Sequence, residues 1–474
     1  MRTLLPAALA LLALAAPALA EGAPARPVRA GRATPLDDYM ARAQPAYAWS
    51  IKSEAPGAFG ATILRLELTS QTWKGLVWKH RLNIIVPGPA TGERARPGHA
   101  LLAITGTGGE DEHLALLGEL AARIGVPVAI LHDVPSQPLY ADAEHPRGLK
   151  EDALIARTFV EFARTGEADW PLLLPMTRSA VAAMDCLGEL SAQRLNDPTQ
   201  GLERWGHGKL ERFVVTGASK RGWTTWLTAC VEPTRAIGIA PIVYDNLNIR
   251  AQMARHLEVW GKPSQSIHDY TDAGLMQLLA GPRGDQLLSI VDPYTYADRL
   301  TVPKMAMIGT NDTYWPLDAV NLYRNALPGD FFCHYVPNAG HSAGLSIADG
   351  LAGFFDHVTK RTPALPVVTI EVSPRATALM TVADPADRAQ VRAVRVWTTR
   401  IAGKDFTKAR WEKVDAPATG EGWAATLPAA MREAPAAGQA PGSAAFIGEV
   451  ELRDSADRPF LIHTPVSVWE LPEH

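Results

Sequence analysis

The chain has 474 residues, 47% of them hydrophobic and 20% charged, with a formal net charge of −4; that describes a folded protein with a large core and at least one further domain. Its basic residues are scattered, so neither charge nor pattern points to a nucleic-acid partner. Three cysteines in apolar settings, Cys186, Cys230 and Cys333, exclude a disulfide-framed scaffold.

One disulfide with a spare thiol, or three buried thiols, both fit those cysteines. The sequence has neither a CxxC nor an HExxH pattern, so no metal site is expected, and no cofactor either. The N-terminal stretch "MRTLLPAALALLALAAPALAEG" combines an early Arg2, an apolar Leu/Ala core and small residues before Glu21. This is the pattern of a secretory signal spanning 1–20, cut after Ala20, and it predicts a periplasmic or secreted protein. An uncleaved membrane anchor is the alternative. The polar, proline-rich residues that follow favour cleavage, and no later run approaches the ~18 apolar residues of a membrane span.

A stretch with the look of disorder runs to about Pro35, and two strands follow over 61–87, the first alternating as "ATILRLELTSQTW". Apolar strand runs then alternate with helical spacing. The strands are 100–105, 126–131, 212–217, 236–244, 304–309 and 331–337; the helices fall near 111–123, 149–165, 174–194, 220–231, 316–326 and 343–359. Short continuous apolar strands between helices predict a parallel sheet covered on both faces. Residues 246–295, mainly helical, interrupt the alternation as an inserted cap would. Beyond about 365 the pattern becomes short alternating strands without helices, which predicts an all-β sandwich of immunoglobulin or fibronectin type over 366–474. In "FIGEVELRD", Phe446, Gly448, Val450 and Leu452 fall on one face and Ile447, Glu449, Glu451 and Arg453 mostly on the other.

The stretch "VVTGASKRGW" ends an apolar strand run with Gly217, and Ser219 follows two residues later. A nucleophile elbow needs small residues around a strained serine at the carboxyl edge of a sheet. The spacing here is G-x-S-x-x-G, with Arg221 where the strict lipase pattern has glycine, and a helix N-cap serine would also fit. The rest of the chain favours the elbow. Asp312 comes directly after the strand "KMAMIG", and His341 directly after the strand "FFCHYVP" and its turn, in the order Ser, Asp, His that an α/β-hydrolase fold requires. Asp318 is the rival acid. The amide of Lys220, with those of Thr107 and Gly108 in "TGTGGEDE", would form the oxyanion hole. The Lys220 ammonium would lie over the oxyanion, bind an acidic substrate or simply be solvated. Glu110, Asp111 and Glu112 would either favour a helix N-terminus or receive a cationic substrate. Tyr244, Asp245 and Trp315 complete the expected pocket, with "YDN" at 244–246 on its rim.

Over nearly the whole mature chain the sequence resembles the PhoPQ-activated pathogenicity-related protein family, which includes autocrine proliferation repressor proteins. The resemblance is carried by "PLDDYMA", "LTSQTWKGLVWKHRLNIIVP", "EDALIARTFVEFARTGEADWPLLLPMTRSAVAAMDC", "VTGASKRGWTTWLTA", "VDPYTYADRL" and "MIGTNDTYWPLD". It implies an α/β-hydrolase of the prolyl-oligopeptidase type, with Ser219, Asp312 and His341 as its triad. The loop "GTGGEDE" departs from the Gly-Gly-Asn-like form of that family. A basic residue directly after the serine is also similar to glucuronoyl esterases. The expected activity is that of an exported serine hydrolase acting on a small-molecule, peptide or glycan ester; a binding or signalling protein on a hydrolase scaffold is the competing class.

Overall fold

A computed structural model describes residues 33–88, 91–92, 95–196, 205–342, 344, 347–373, 377–382, 387–420, 422–431 and 442–471. The expected signal at 1–20 and its cut after Ala20 lie outside them. Helix α1 (Pro35–Ala41) opens with a capping box, in which the Asp37 carboxylate accepts from the Thr34 amide at 2.9 Å and the Thr34 hydroxyl accepts from the Asp37 amide at 3.3 Å.

Strands β1 (Ala48–Pro56), β2 (Thr62–Trp73) and β3 (Leu76–Val86) form an antiparallel meander. The sequence pattern does not announce β1: it is an edge strand, and Lys52, Ser53 and Glu54 are exposed. The meander joins a parallel sheet of β4 (His99–Ile104), β5 (Val128–Leu131), β6 (Arg212–Ala218), β7 (Ala236–Ile242), β8 (Lys304–Gly309) and β9 (Phe331–Val336), in the order β1-β2-β3-β5-β4-β6-β7-β8-β9. Successive residues of the parallel strands feed different cores. Ala100, Leu102 and Ile104 pack on one face with α3 (Glu151–Thr165), α4 (Leu173–Asn196) and α5 (Lys220–Val231). Leu101 and Ala103 pack on the other with α2 (Glu110–Ile124) and α10 (Ile347–Val358). Burial on both faces is why these strands read as unbroken apolar runs.

Between β7 and β8 the chain leaves the sheet for α6 (Ile249–Trp260), α7 (His268–Asp272), α8 (Leu275–Leu279) and α9 (Pro282–Val291). The helix expected near 316–326 is instead two 3-10 turns, Ala319–Leu322 and Arg324–Ala326. Tyr323 between them leaves helical angles at φ −141°, and its ring packs edge-on to Phe331 of β9. All three cysteines are buried free thiols. Among the described residues no helix is long and apolar enough to cross a membrane.

The C-terminal region is all β: β10 (Val368–Val372), β11 (Thr377–Val382), β12 (Ala393–Ala402), β13 (Glu412–Asp415), β14 (Trp423–Thr426), β15 (Gly442–Arg453), β16 (Pro459–His463) and β17 (Ser467–Glu470). A three-stranded sheet, β10-β11-β14, packs over the sheet built around β12 and β15, with Met380, Trp423, Phe446 and Val450 in one apolar cluster. The larger sheet does not stand apart. β16 pairs with β9 at His463–Cys333, so among the described residues one sheet of fourteen strands, β17 branching from β15, runs through both halves of the molecule. Ala445 and Ile447, on the opposite face of β15 from Phe446, are buried in the cluster that includes α3, α4 and α5, so both faces of β15 are covered.

Candidate active site

Ser219 connects β6 to α5 at φ 57°, ψ −123°, a conformation that strains any residue but glycine and persists only where the surroundings enforce it. Its amide donates to the Ile242 carbonyl at 2.8 Å. A Cβ at position 217 would lie 2.7 Å from the Arg221 carbonyl oxygen, and one at position 222 would lie 2.7 Å from the Tyr244 Cβ. Those are the two places where this turn demands glycine, so G-x-S-x-x-G meets its steric requirement. Arg221 needs no replacement by glycine because its side chain turns under the neighbouring loop at Gly106. There it donates to the Val134 carbonyl at 2.5 Å and to both Glu151 carboxylate oxygens at 2.6 Å. Burial would raise the Glu151 pKa, but the Arg221 guanidinium outweighs it and holds the carboxyl down at about 2.

Ser219, His341 and Asp312 form one hydrogen-bonded chain. His341 Nε2 lies 2.9 Å from Ser219 Oγ, and His341 Nδ1 lies 2.8 Å from Asp312 Oδ2 and 3.1 Å from Oδ1. The Tyr314 amide donates to Asp312 Oδ1 at 2.8 Å, and the Tyr314 ring stacks on the imidazole at 4.0 Å. With Asp312 accepting from Nδ1–H, Nε2 is free to accept the serine proton. The rival acid, Asp318, is held by Arg255 at 2.8 Å, away from the imidazole.

The loops carrying Asp312 and His341 are gripped from the C-terminal region. Asn311 Nδ2 donates to the Ala409 carbonyl at 2.7 Å and to those of Phe406 and Thr407 at 3.2 and 3.3 Å. Asn338 accepts from the Trp411 amide at 2.8 Å and donates to the Trp411 carbonyl at 3.1 Å.

Strand register sets Ile104 beside Gly217, so the loop with Thr107 and Gly108 leaves the sheet next to the elbow. Neither residue lines the cavity behind Ser219. The first-turn amides of α5, Lys220 among them, lack intrahelical acceptors. The cavity lies on the side of the cap. It is lined by Ser219, Lys220, Tyr244 and Trp315, all read from sequence, and by Asp152, Tyr270 and Tyr314, which were not. Asp245 is not in it. Its side chain is buried with neither carboxylate oxygen in hydrogen-bond geometry, and burial, only partly offset by Tyr323 and reinforced by the charges of Asp312 and Asp318, raises its pKa to about 8. Glu110 is elsewhere too, bound to Arg81 at 2.5 Å and Asn83 at 3.0 Å at the start of α2, with Asp111 and Glu112 beside it in the same first turn. The Lys220 ammonium is neither solvated nor free: it sits 2.7 Å from Asp152 and 3.6 Å from Glu151. Asp152 in turn accepts from the Tyr270 hydroxyl at 2.8 Å. The "ED" at 151–152 could have signalled this, since two acids opening a helix stand opposite the "KR" at 220–221 that opens another. Among the described residues, no group of three or more His, Cys, Asp or Glu side chains is placed to hold a metal ion.

A parallel sheet with an antiparallel strand at β3, a serine elbow after β6, and an acid and a histidine after β8 and β9 define an α/β-hydrolase scaffold. The sequence model of the PhoPQ-activated pathogenicity-related protein family matches residues 36–407, and the chain belongs to that family. Autocrine proliferation repressor protein A of Dictyostelium discoideum is 34% identical over 325 residues, 65% of this chain and 61% of that relative's length. Among solved structures, acetyl xylan esterase 1 from a Thermoanaerobacterium species is similar at 17% identity and a TM-score of 0.44, over 66% of this chain and 87% of that one. An S-formylglutathione hydrolase from Agrobacterium tumefaciens is similar at 14% identity and a TM-score of 0.42, over 66% of this chain and 99% of that one.

Proposed function

We propose that the protein is an exported serine hydrolase that cleaves an ester or peptide bond through an acyl-enzyme. The observation that carries this is the unbroken chain Ser219–His341–Asp312 on a strained serine elbow. Ser219 Oγ adds to the substrate carbonyl as its proton passes to His341 Nε2. The amides of Lys220, Thr107 and Gly108 stabilise the oxyanion. Collapse breaks the bond to the leaving group, which takes the proton from Nε2. Water then gives a proton to Nε2, its oxygen attacks the acyl carbon, and the proton returns to Ser219 as the acid leaves. Asp312 keeps the imidazole in the required tautomer and stabilises its charged form.

In this reading residues 1–20 direct export to the periplasm or beyond, 21–365 form the hydrolase domain with its cap at about 246–295, and 366–474 form an immunoglobulin- or fibronectin-like sandwich. A carbohydrate-ester substrate of glucuronoyl type gains no separate support from Lys220, whose charge is already paired with Asp152. A second reading, a non-catalytic regulator, is favoured by one observation: the Dictyostelium relative is named a proliferation repressor.

Labelling by a fluorophosphonate probe separates the two. A hydrolase is labelled as wild type and unlabelled as Ser219→Ala or His341→Ala. A folded wild type that takes no label, with Ser219→Ala retaining cellular function, establishes the regulator.

A further inference from the structure

The cavity behind Ser219 indicates what part of a substrate it receives. Its walls are Trp223, Tyr244, Met253, Leu279, Leu288 and Trp315, brought together from α5, the end of β7, the cap helices and the loop after β8. The two charged groups of the lining cancel: Asp152 takes the Lys220 ammonium at 2.7 Å and the Tyr270 hydroxyl at 2.8 Å. The polar groups that remain, the Ser219 and tyrosine hydroxyls, the indole nitrogens and Asn246, are neutral. A charged substrate group entering here would lose its hydration and find no free countercharge. The free volume is small, about 50 Å³.

Resting on the serine-hydrolase reading, we propose that this cavity binds the acyl side of the substrate, and that the acyl tail is uncharged, apolar and short. Ser219 itself lines the cavity, beside Trp223 of the helix that begins at the elbow, so an acyl chain bonded to Ser219 Oγ enters the cavity without leaving the elbow. Thr107 and Gly108 are not among its walls, so the leaving group stays outside the cavity. The cap thus selects the length of the acid and not the alcohol or amine.

The test uses p-nitrophenyl acetate, butyrate, hexanoate, decanoate and 6-aminohexanoate, which share a leaving group, on a preparation whose Ser219 is titrated with the fluorophosphonate. Burying a methylene is worth about 4-fold, so kcat/KM for butyrate should exceed that for acetate by about 15-fold. Decanoate should fall below hexanoate, and 6-aminohexanoate at least about tenfold below hexanoate. Leu279→Ala should raise the decanoate-to-hexanoate ratio several-fold. A labelled enzyme that prefers acetate, or treats 6-aminohexanoate as it treats hexanoate, overturns the acyl-pocket assignment and leaves the hydrolase reading intact. A folded protein that takes no label and cleaves none of the five esters overturns the hydrolase reading, and this assignment with it.

Discussion

Asp245 and Asp312 occupy equivalent places, each three residues beyond the end of a parallel strand, β7 and β8, and both are buried. Their surroundings are opposite. Asp312 is met by His341 Nδ1 and by the Tyr314 amide, both at 2.8 Å. Asp245 is met by no group in hydrogen-bond geometry, and the same sheet edge pushes its pKa up to about 8. Position at a strand end gives a carboxylate the chance of a role; the donors around it decide what it can hold in place. The Lys220–Asp152 pair obeys the same rule, since each largely buried side chain has the other as its partner at 2.7 Å.

The strongest test of this contrast replaces both acids. Asp312→Asn should lower kcat/KM for an activated ester by about 10⁴ while circular dichroism stays unchanged, because the imidazole loses its tautomer. Asp245→Asn should leave kcat/KM at pH 7 within a few-fold of wild type. Equal losses in the two variants would erase the distinction. Next in size, Lys220→Met strands Asp152, whose side chain is 10% exposed, and should destabilise the fold by on the order of 3 kcal/mol in urea unfolding. Adding Asp152→Asn should recover part of that loss, which a double-mutant cycle measures.

A smaller effect belongs to pH. Asp245 keeps its proton to about pH 8 when folded and loses it near the ordinary value of about 4 when unfolded. The unfolded chain therefore binds fewer protons between those limits, and stability falls as pH rises through them. Its share of the slope is at most about 1.4 kcal/mol per pH unit. Asp245→Asn should flatten the decline in melting temperature between pH 5 and 8; an unchanged slope would show that the carboxyl is ionised in the fold. The smallest effect is expected of a solvated pair: Lys52 and Glu67 lie 3.6 Å apart with side chains 55% and 46% exposed. Lys52→Gln should cost less than about 0.5 kcal/mol.

The sequence made Ser219, Asp312 and His341 legible for one reason: each follows an apolar run that can only be a buried strand, and strands in a parallel sheet end together. Asp152, Tyr270 and Tyr314 could not be found that way. They meet because α7 folds back over the start of α3, a packing of separate helices that no local pattern encodes. Glu110 and Asp245 are expected at the pocket from proximity along the chain, the first to a glycine loop and the second to Tyr244; side-chain direction takes Glu110 to Arg81 and Asn83 and leaves Asp245 outside the lining. The strand β1 was missed because an edge strand keeps too few buried residues to alternate.

The grip of the segment 406–411 on Asn311 and Asn338 sets an order of events. A growing chain has made its serine, acid and histidine long before it has made the residues that fasten the last two in place. The site is finished only when the final quarter of the polypeptide has been synthesised and has docked, so a chain cut short near 365 would have all three chemical groups and lack the clamp that aligns them.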